Sequence, residues 1–295
     1  MDHNKEPIHN IPKILKNAQL NGYEISDRNL LSLSKNDKLL VSKLATDREF
    51  EIVTDINVDL TYRNSFRRQQ QINHAVAQIK TADQMGVKRT RIVLGGQLLS
   101  IQKILERRYH PNHLPDNHSR VVKAPSRLLS SFFTVISHLT HKIRKNTKAR
   151  VWHPESKIEL VIEALNEIMP IAERHGVRIG IENHWGISSR PEWIMEVVES
   201  VGSPYLGTCP DFGNWPKNIS AYDGVTTMSG KAILAHIKTI NPRGNASKQF
   251  NSIKRNVEIL LNQSFSGPFT LEHEGIAYPW HCIMETAKLL RQNFN

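Results

Sequence analysis

From about residue 12 onward, stretches with apolar residues at every third or fourth position alternate with short runs rich in β-branched residues. The first spacing is that of one face of a helix, and the second suits a strand buried on both sides. The clearest helical stretch carries Ile158, Val161, Ile162, Leu165, Ile168 and Met169 and closes at His175-Gly176, where glycine supplies a left-handed C-terminal turn. Similar stops stand at Asn21-Gly22 and Met85-Gly86. Between the helices, strands are expected at Tyr23–Ser26, Phe50–Asn57, Thr90–Gly95, Arg178–His184, Tyr205–Asp211, Ile233–Thr239 and Phe269–Glu272. Strands separated in this way by helices predict parallel pairing through helical crossovers. The helix-to-strand stretch "HGVRIGIENH" is close in form to "MGVKRTRIVLGG", so one α/β building block repeats along the chain.

The fold expected from this pattern is an α/β TIM barrel of the (β/α)8 type. A chain of 295 residues suits one such domain over 1–295. Two departures accompany it. Eight strands require one more before the helix at Ile11–Leu20, but Met1–Asn10 is polar and short, with little β propensity. Either the first strand is lacking, or the barrel closes with seven, or those residues form an irregular edge. The second departure is residues 99–155, an insertion after the strand ending near Gly96 and far longer than a strand-to-helix connection needs. It opens with "YHPNHLPDNHSR" and continues into a helical pattern with Leu128, Leu129, Phe132, Phe133, Ile136, Leu139 and Ile143 on one face.

Charge changes this picture only locally. The chain carries a formal net charge of +11, and residues 101–150 hold eleven Lys or Arg against two acids, Glu106 and Asp116. The basicity therefore belongs to the insertion and argues against nucleic acid as the partner of the barrel itself. The amphipathic helix of the insertion packs on the barrel or on a second copy of the chain, which makes a homo-oligomer one expectation. Its other reading is a basic surface for an anionic partner. No run is long and apolar enough for a membrane span, and the N-terminal residues lack a secretory apolar stretch. Cys209 and Cys282 form neither a disulfide framework nor a paired zinc spacing, and the expected location is the cytoplasm.

Four strand ends carry the chemistry: Glu182 in "IGIENHW", Asp211 in "TCPDFGN", His236 in "LAHIKT" and Glu272 in "TLEHEG". Each closes its run, and in a parallel barrel the C-terminal strand ends meet at the catalytic mouth. The spacing between them is about one α/β unit, so consecutive strands supply them. Three carboxylates and an imidazole suit one divalent metal ion, and the sequence leaves Mn, Mg, Co and Zn open. Acids embedded in apolar strands are costly unless a cation or proton neutralises them. His184 lies two residues past Glu182, and Lys238 two past His236, so both face inward as candidate substrate-binding groups. Lys238 reads equally as a rim lysine. Trp215 follows the aspartate motif as a candidate apolar wall for a substrate, or as rim packing.

The motifs "GVRIGIENHWG", "SPYLGTCPDFGNW", "AHIKT" and "SGPFTLEHEG" resemble those of the xylose-isomerase-like TIM barrels, the sugar phosphate isomerase and epimerase family, over roughly residues 11–98 and 156–292. The resemblance implies that Glu182, Asp211, His236 and Glu272 hold the metal and that Glu182 and Glu272 also shuttle the proton. The implied activity is metal-dependent sugar (phosphate) isomerisation or epimerisation by proton transfer next to a carbonyl, through an enediolate. Its substrate is a sugar or another hydroxy-carbonyl compound. A barrel without catalysis, acting as a binding protein, is the alternative. The same superfamily contains an abasic-site endonuclease with several zinc ions, which needs a histidine three residues after the aspartate. That position is Asn214 here, a poor zinc ligand, and a one-metal site fits better.

Overall fold

The computed structural model describes residues 10–46, 50–95, 155–240, 244–273 and 279–294. The insertion, the amphipathic helix expected within it and most of the segment before Ile11 lie outside them. The described residues belong to one compact unit, 6–96 with 155–295. No helix among them is long and apolar enough to cross a membrane.

All seven expected strands are present: β1 (Gly22–Ile25), β2 (Glu51–Asn57), β3 (Arg89–Val93), β4 (Arg178–Glu182), β5 (Leu206–Cys209), β6 (Ala235–Lys238) and β7 (Phe269–Glu272). The helices are α1 (Ile11–Ala18), the single turn α2 (Asp27–Leu30), α3 (Lys35–Thr46), α4 (Ser65–Gln84), α5 (Glu155–His175), α6 (Pro191–Val201), α7 (Ala221–Ser229), α8 (Ala246–Asn262) and α9 (Pro279–Phe294). β1 to β5 form one parallel sheet in chain order, and β6 pairs in parallel with β7. The two sheets join through the bridges Thr208↔Ala232 and Asp211↔His236. The spatial order of the strands thus follows the chain, as in a TIM barrel. Among the described residues no ladder joins β7 to β1.

Alternation along each strand sorts side chains to two surfaces. Ile179 and Ile181 of β4, Ala235 and Ile237 of β6, and Ile25 and Ile52 of β1 and β2 are buried. Ala235 and Ile237 pack with Val225 of α7 and Phe250 and Val257 of α8, while Ile25 and Ile52 pack with Val41 of α3 and Met85. On α5, Ile158, Val161, Leu165, Ile168 and Met169 of the expected stripe are fully covered. Gly86 and Gly176 take the left-handed turn expected of them, with φ of 76° and 64°. The stop expected at Asn21-Gly22 falls earlier: Gln19 takes the left-handed conformation at φ 52°, and Gly22 opens β1.

Residues of the opposite parity fill the barrel. Val53, Cys209 and Leu234 form a small apolar cluster there, joined by Ile233 from just before β6, and polar side chains sit toward the C-terminal strand ends. Gly180 makes room for this plug, because a Cβ there would lie 2.7 Å from Leu234 Cδ2 and 3.1 Å from the Thr208 carbonyl oxygen. Gly180→Val is therefore expected to cost about 1–3 kcal/mol by overpacking. An unchanged urea midpoint for this variant would contradict the packing described.

Candidate metal centre

The four sequence-predicted ligands converge. Glu182 is the last residue of β4, Asp211 follows β5, His236 lies on β6 and Glu272 ends β7. One ligand atom from each lies within 4.8 Å of the others. His236 Nδ1 is 3.5 Å from Glu182 Oε1, 3.9 Å from Asp211 Oδ2 and 3.4 Å from Glu272 Oε2. Glu182, Asp211 and His236 are almost fully buried, whereas the Glu272 side chain is 33% exposed.

Each group is held from behind. Asp211 Oδ1 accepts the backbone N–H of Gly213 at 2.7 Å and of Asn214 at 2.9 Å. The Asp211 backbone is clamped by the Asn183 amide, which donates to its carbonyl at 2.9 Å and accepts its N–H at 2.6 Å. Asp211 Oδ2, by contrast, is buried without a hydrogen-bond donor. Its nearest cation is Lys238 Nζ at 3.3 Å, which also donates to Glu272 Oε2 at 2.8 Å. Gly213 leaves the path for Lys238 open, since a Cβ there would sit 2.4 Å from Lys238 Cγ.

Sequence reasoning missed the support beneath these residues. Arg91 of β3 is a guanidinium inside the barrel with an acid on each nitrogen: Nη1 donates to Glu182 Oε2 at 2.6 Å, Nε to Glu24 Oε1 at 2.8 Å and Nη2 to Asp55 Oδ2 at 2.8 Å. A signal for them existed in "GYEI", "IVTDIN" and "TRIV", where single charges interrupt apolar strands just as Glu182 does. Asn214 donates from its amide to Glu182 Oε1 at 3.2 Å. At the position where a multinuclear zinc cluster is expected to need histidine, Asn214 buttresses the candidate ligand Glu182 instead.

The electrostatics fit a divalent cation. Glu24, Asp55, Glu182, Asp211 and Glu272 face Arg91 and Lys238 as the permanent cations in this network. Burial pushes Asp211 up to about 7, with Lys238 opposing and Glu182 adding to the rise. Burial also disfavours the charged forms of Glu182, Glu272 and His236, but their neighbours overcome it. Arg91 and His236 hold Glu182 below its ordinary value, His236 and Lys238 do the same for Glu272, and Glu24 raises His236 well above 6.5. An excess of buried negative charge, an orphaned carboxylate oxygen and an acid kept partly protonated near neutrality are what a missing positive charge produces. Three hard carboxylate oxygens and one borderline nitrogen match Mn, Mg, Co or Zn as donors.

A pH dependence follows. A metal held by Asp211 would displace its proton, so affinity would rise with pH by about tenfold per unit below 7 for that one proton. The sign for stability agrees. A carboxyl with a raised folded pKa contributes stability below its unfolded value and loses it as pH climbs through 7, so added metal should raise the melting temperature more at pH 8 than at pH 6. Equal Co(II) affinities at the two pH values would contradict this.

Of the remaining candidates, His184 lies beside this centre, near enough to feel Glu182, Lys238 and Glu272. His184 is half-buried, its ring 3.5 Å from that of Trp185, and burial brings it down to about 4 despite the opposing charge of Glu182. Trp215 is half-buried against the Phe212 and Val225 cluster, with Gly224 leaving space for its ring.

A sequence profile of the xylose isomerase-like TIM barrel matches residues 135–292. The chain belongs to the xylose isomerase-like TIM barrel family. The curated proteins contain no match to this member of the family. Among solved structures, the family barrel is similar to the apo form of 3-keto-D-glucoside 4-epimerase YcjR from E. coli, with a TM-score of 0.68 and 11% identity over 99% of this chain and 97% of that one. It is also similar to an L-ribulose 3-epimerase, with a TM-score of 0.64 and 13% identity over 97% of this chain and 86% of that one. The IOLI protein with a binding zinc atom matches with a TM-score of 0.64 and 14% identity, over 98% and 95% of the two chains.

Proposed function

We propose that this xylose isomerase-like chain is a sugar isomerase or epimerase that uses one divalent metal ion, on a single barrel domain interrupted by the basic insertion. The observation that carries this reading is the convergence of Glu182, Asp211, His236 and Glu272 within 4.8 Å, with more buried carboxylate than the neighbouring cations balance. The structural likeness to two sugar epimerases and to a zinc-bound barrel supports it.

Glu182, Asp211, His236 and Glu272 would hold the cation, which supplies the positive charge that stabilises an enediolate beside a carbonyl. The chain's own residues do the rest. Glu182 and Glu272, both held ionised by their neighbours, are proton acceptors. One removes the proton from the carbon next to the carbonyl and later releases it to solvent; the other, after taking a proton from solvent, returns a proton to the opposite face or to the neighbouring carbon. The first outcome is epimerisation and the second isomerisation. Lys238, between Asp211 and Glu272, donates to a substrate oxygen, and the neutral His184 hydrogen-bonds a hydroxyl. Trp215, packed against Gly224 of α7, is the proposed apolar wall for the sugar ring.

Incubation with a panel of ketoses and sugar phosphates in deuterium oxide, with added Mn or Co, tests the proposal. Deuterium is expected at the carbon beside the carbonyl of at least one sugar. Its absence across the panel would overturn the assigned reaction.

A further inference from the structure

The buried carboxylate of Glu24 is left unexplained by the reaction. It lies on β1, and its side chain is 12% exposed. Oε1 accepts from Arg91 Nε, but Arg91 already has Asp55 and Glu182 on its other nitrogens. Oε2 is turned the other way, across the barrel, to lie 2.9 Å from His236 Nε2. Both of these atoms are buried and neither is engaged in an aligned hydrogen bond, so at this separation each is the other's available complement. The two nitrogens of His236 consequently face different groups: Nδ1 toward Glu182, Asp211 and Glu272, and Nε2 toward Glu24.

We infer that Glu24 is a positioning residue of the metal centre, one that fixes the His236 ring with Nδ1 as the ligating atom and Nε2 as the protonated one. This rests on the metal reading above. An imidazole can present its Nδ1 lone pair only if the proton resides on Nε2, and a buried Nε2–H needs an acceptor. A carboxylate in that place selects the tautomer, stops ring rotation and makes the imidazole a stronger donor. Because Glu24 also binds Arg91, which binds Glu182, one strand residue braces two ligands from behind. A carboxylate whose role is only to balance Arg91 would affect stability, but it would leave the ligand field of a bound metal alone.

The test uses full-length protein titrated with Co(II), read by its visible absorption. Glu24→Gln keeps the size of the side chain but cannot accept at both ends. It is expected to fold, by circular dichroism, to bind Co(II) about 10–100-fold more weakly, and to shift the absorption bands. Affinity within twofold of wild type with unchanged bands would overturn the role of Glu24. If His236→Ala in the same series loses Co(II), the metal site itself stands. Wild type that takes up no Co(II) overturns both readings. Should Glu24→Gln not fold, histidine ¹⁵N NMR of the zinc-loaded wild type decides. Zinc on Nδ1 with a proton on Nε2 of His236 is the expected pattern, and the reverse overturns the inference.

Discussion

Glu272→Gln is expected to leave a folded protein that has lost roughly 10²–10⁴ of its proton-transfer rate, the contribution of a positioned acid or base. Of the two proposed proton carriers it gives the cleaner experiment. Glu182 is 1% exposed and bonded to Arg91, so removing its charge also unbalances a buried ion network. Glu272 is one-third exposed, and its partner Lys238 can turn to Asp211 at 3.3 Å. The amide retains the shape and one oxygen of the ligand but cannot take a proton from carbon. The rate of solvent-deuterium incorporation into the best sugar of the panel, measured at saturating metal, separates this loss from weakened metal binding. A variant within tenfold of wild type would remove Glu272 from the proton path.

Arg91→Met carries the largest expected effect on stability. The guanidinium is the shared partner of three carboxylates from three strands. Its removal leaves Glu24, Asp55 and Glu182 facing one another inside the barrel. Removing one partner from a buried ionic network typically costs about 3–5 kcal/mol. The deficit should depend on pH. Burial already pushes Asp55 up to about 6 against the opposing pull of Arg91; without Arg91 it rises further, and Glu24 and Glu182, now held down in part by Arg91, move up as well. Acids with raised folded pKa favour the native state at low pH, so the loss should shrink as pH falls from 8 to 5. Urea unfolding of the metal-free protein at both values checks this, and a loss below about 1 kcal/mol at pH 8 would show that Arg91 is not the keystone of the network.

Much of this centre was readable in the chain because two local patterns coincide. Apolar runs bounded by Gly or Pro place all seven strands to within a few residues, and an acid or histidine at the C-terminal end of four successive runs can only point into the same mouth of a parallel barrel. Glu24, Asp55 and Arg91 escaped because a single charge inside a short strand also fits a solvated edge. What separates the two cases is which strands close on each other, and Glu24 reaches His236 across the barrel between strands that share no ladder. The helix end at Gln19 was misplaced for a related reason. Gly22 looks like a stop, but its lack of a side chain serves the close approach of β2, where a Cβ would lie 2.5 Å from the Glu51 carbonyl oxygen. Trp215 was offered as a sugar wall from its nearness to the aspartate motif, and the void over Gly224 that seats its ring is a tertiary feature with no local signal. The basic insertion and the residues before Asn10 lie outside the described structure.

The most direct measurement is the amount of metal the protein holds and the groups that hold it. Equilibrium dialysis of wild type against Mn(II) or Co(II) at pH 8, followed by elemental analysis, is expected to give one ion per chain, with occupancy lost in Asp211→Asn and His236→Ala. A chain that retains no ion, or binds it equally well without Asp211 and His236, would contradict the account.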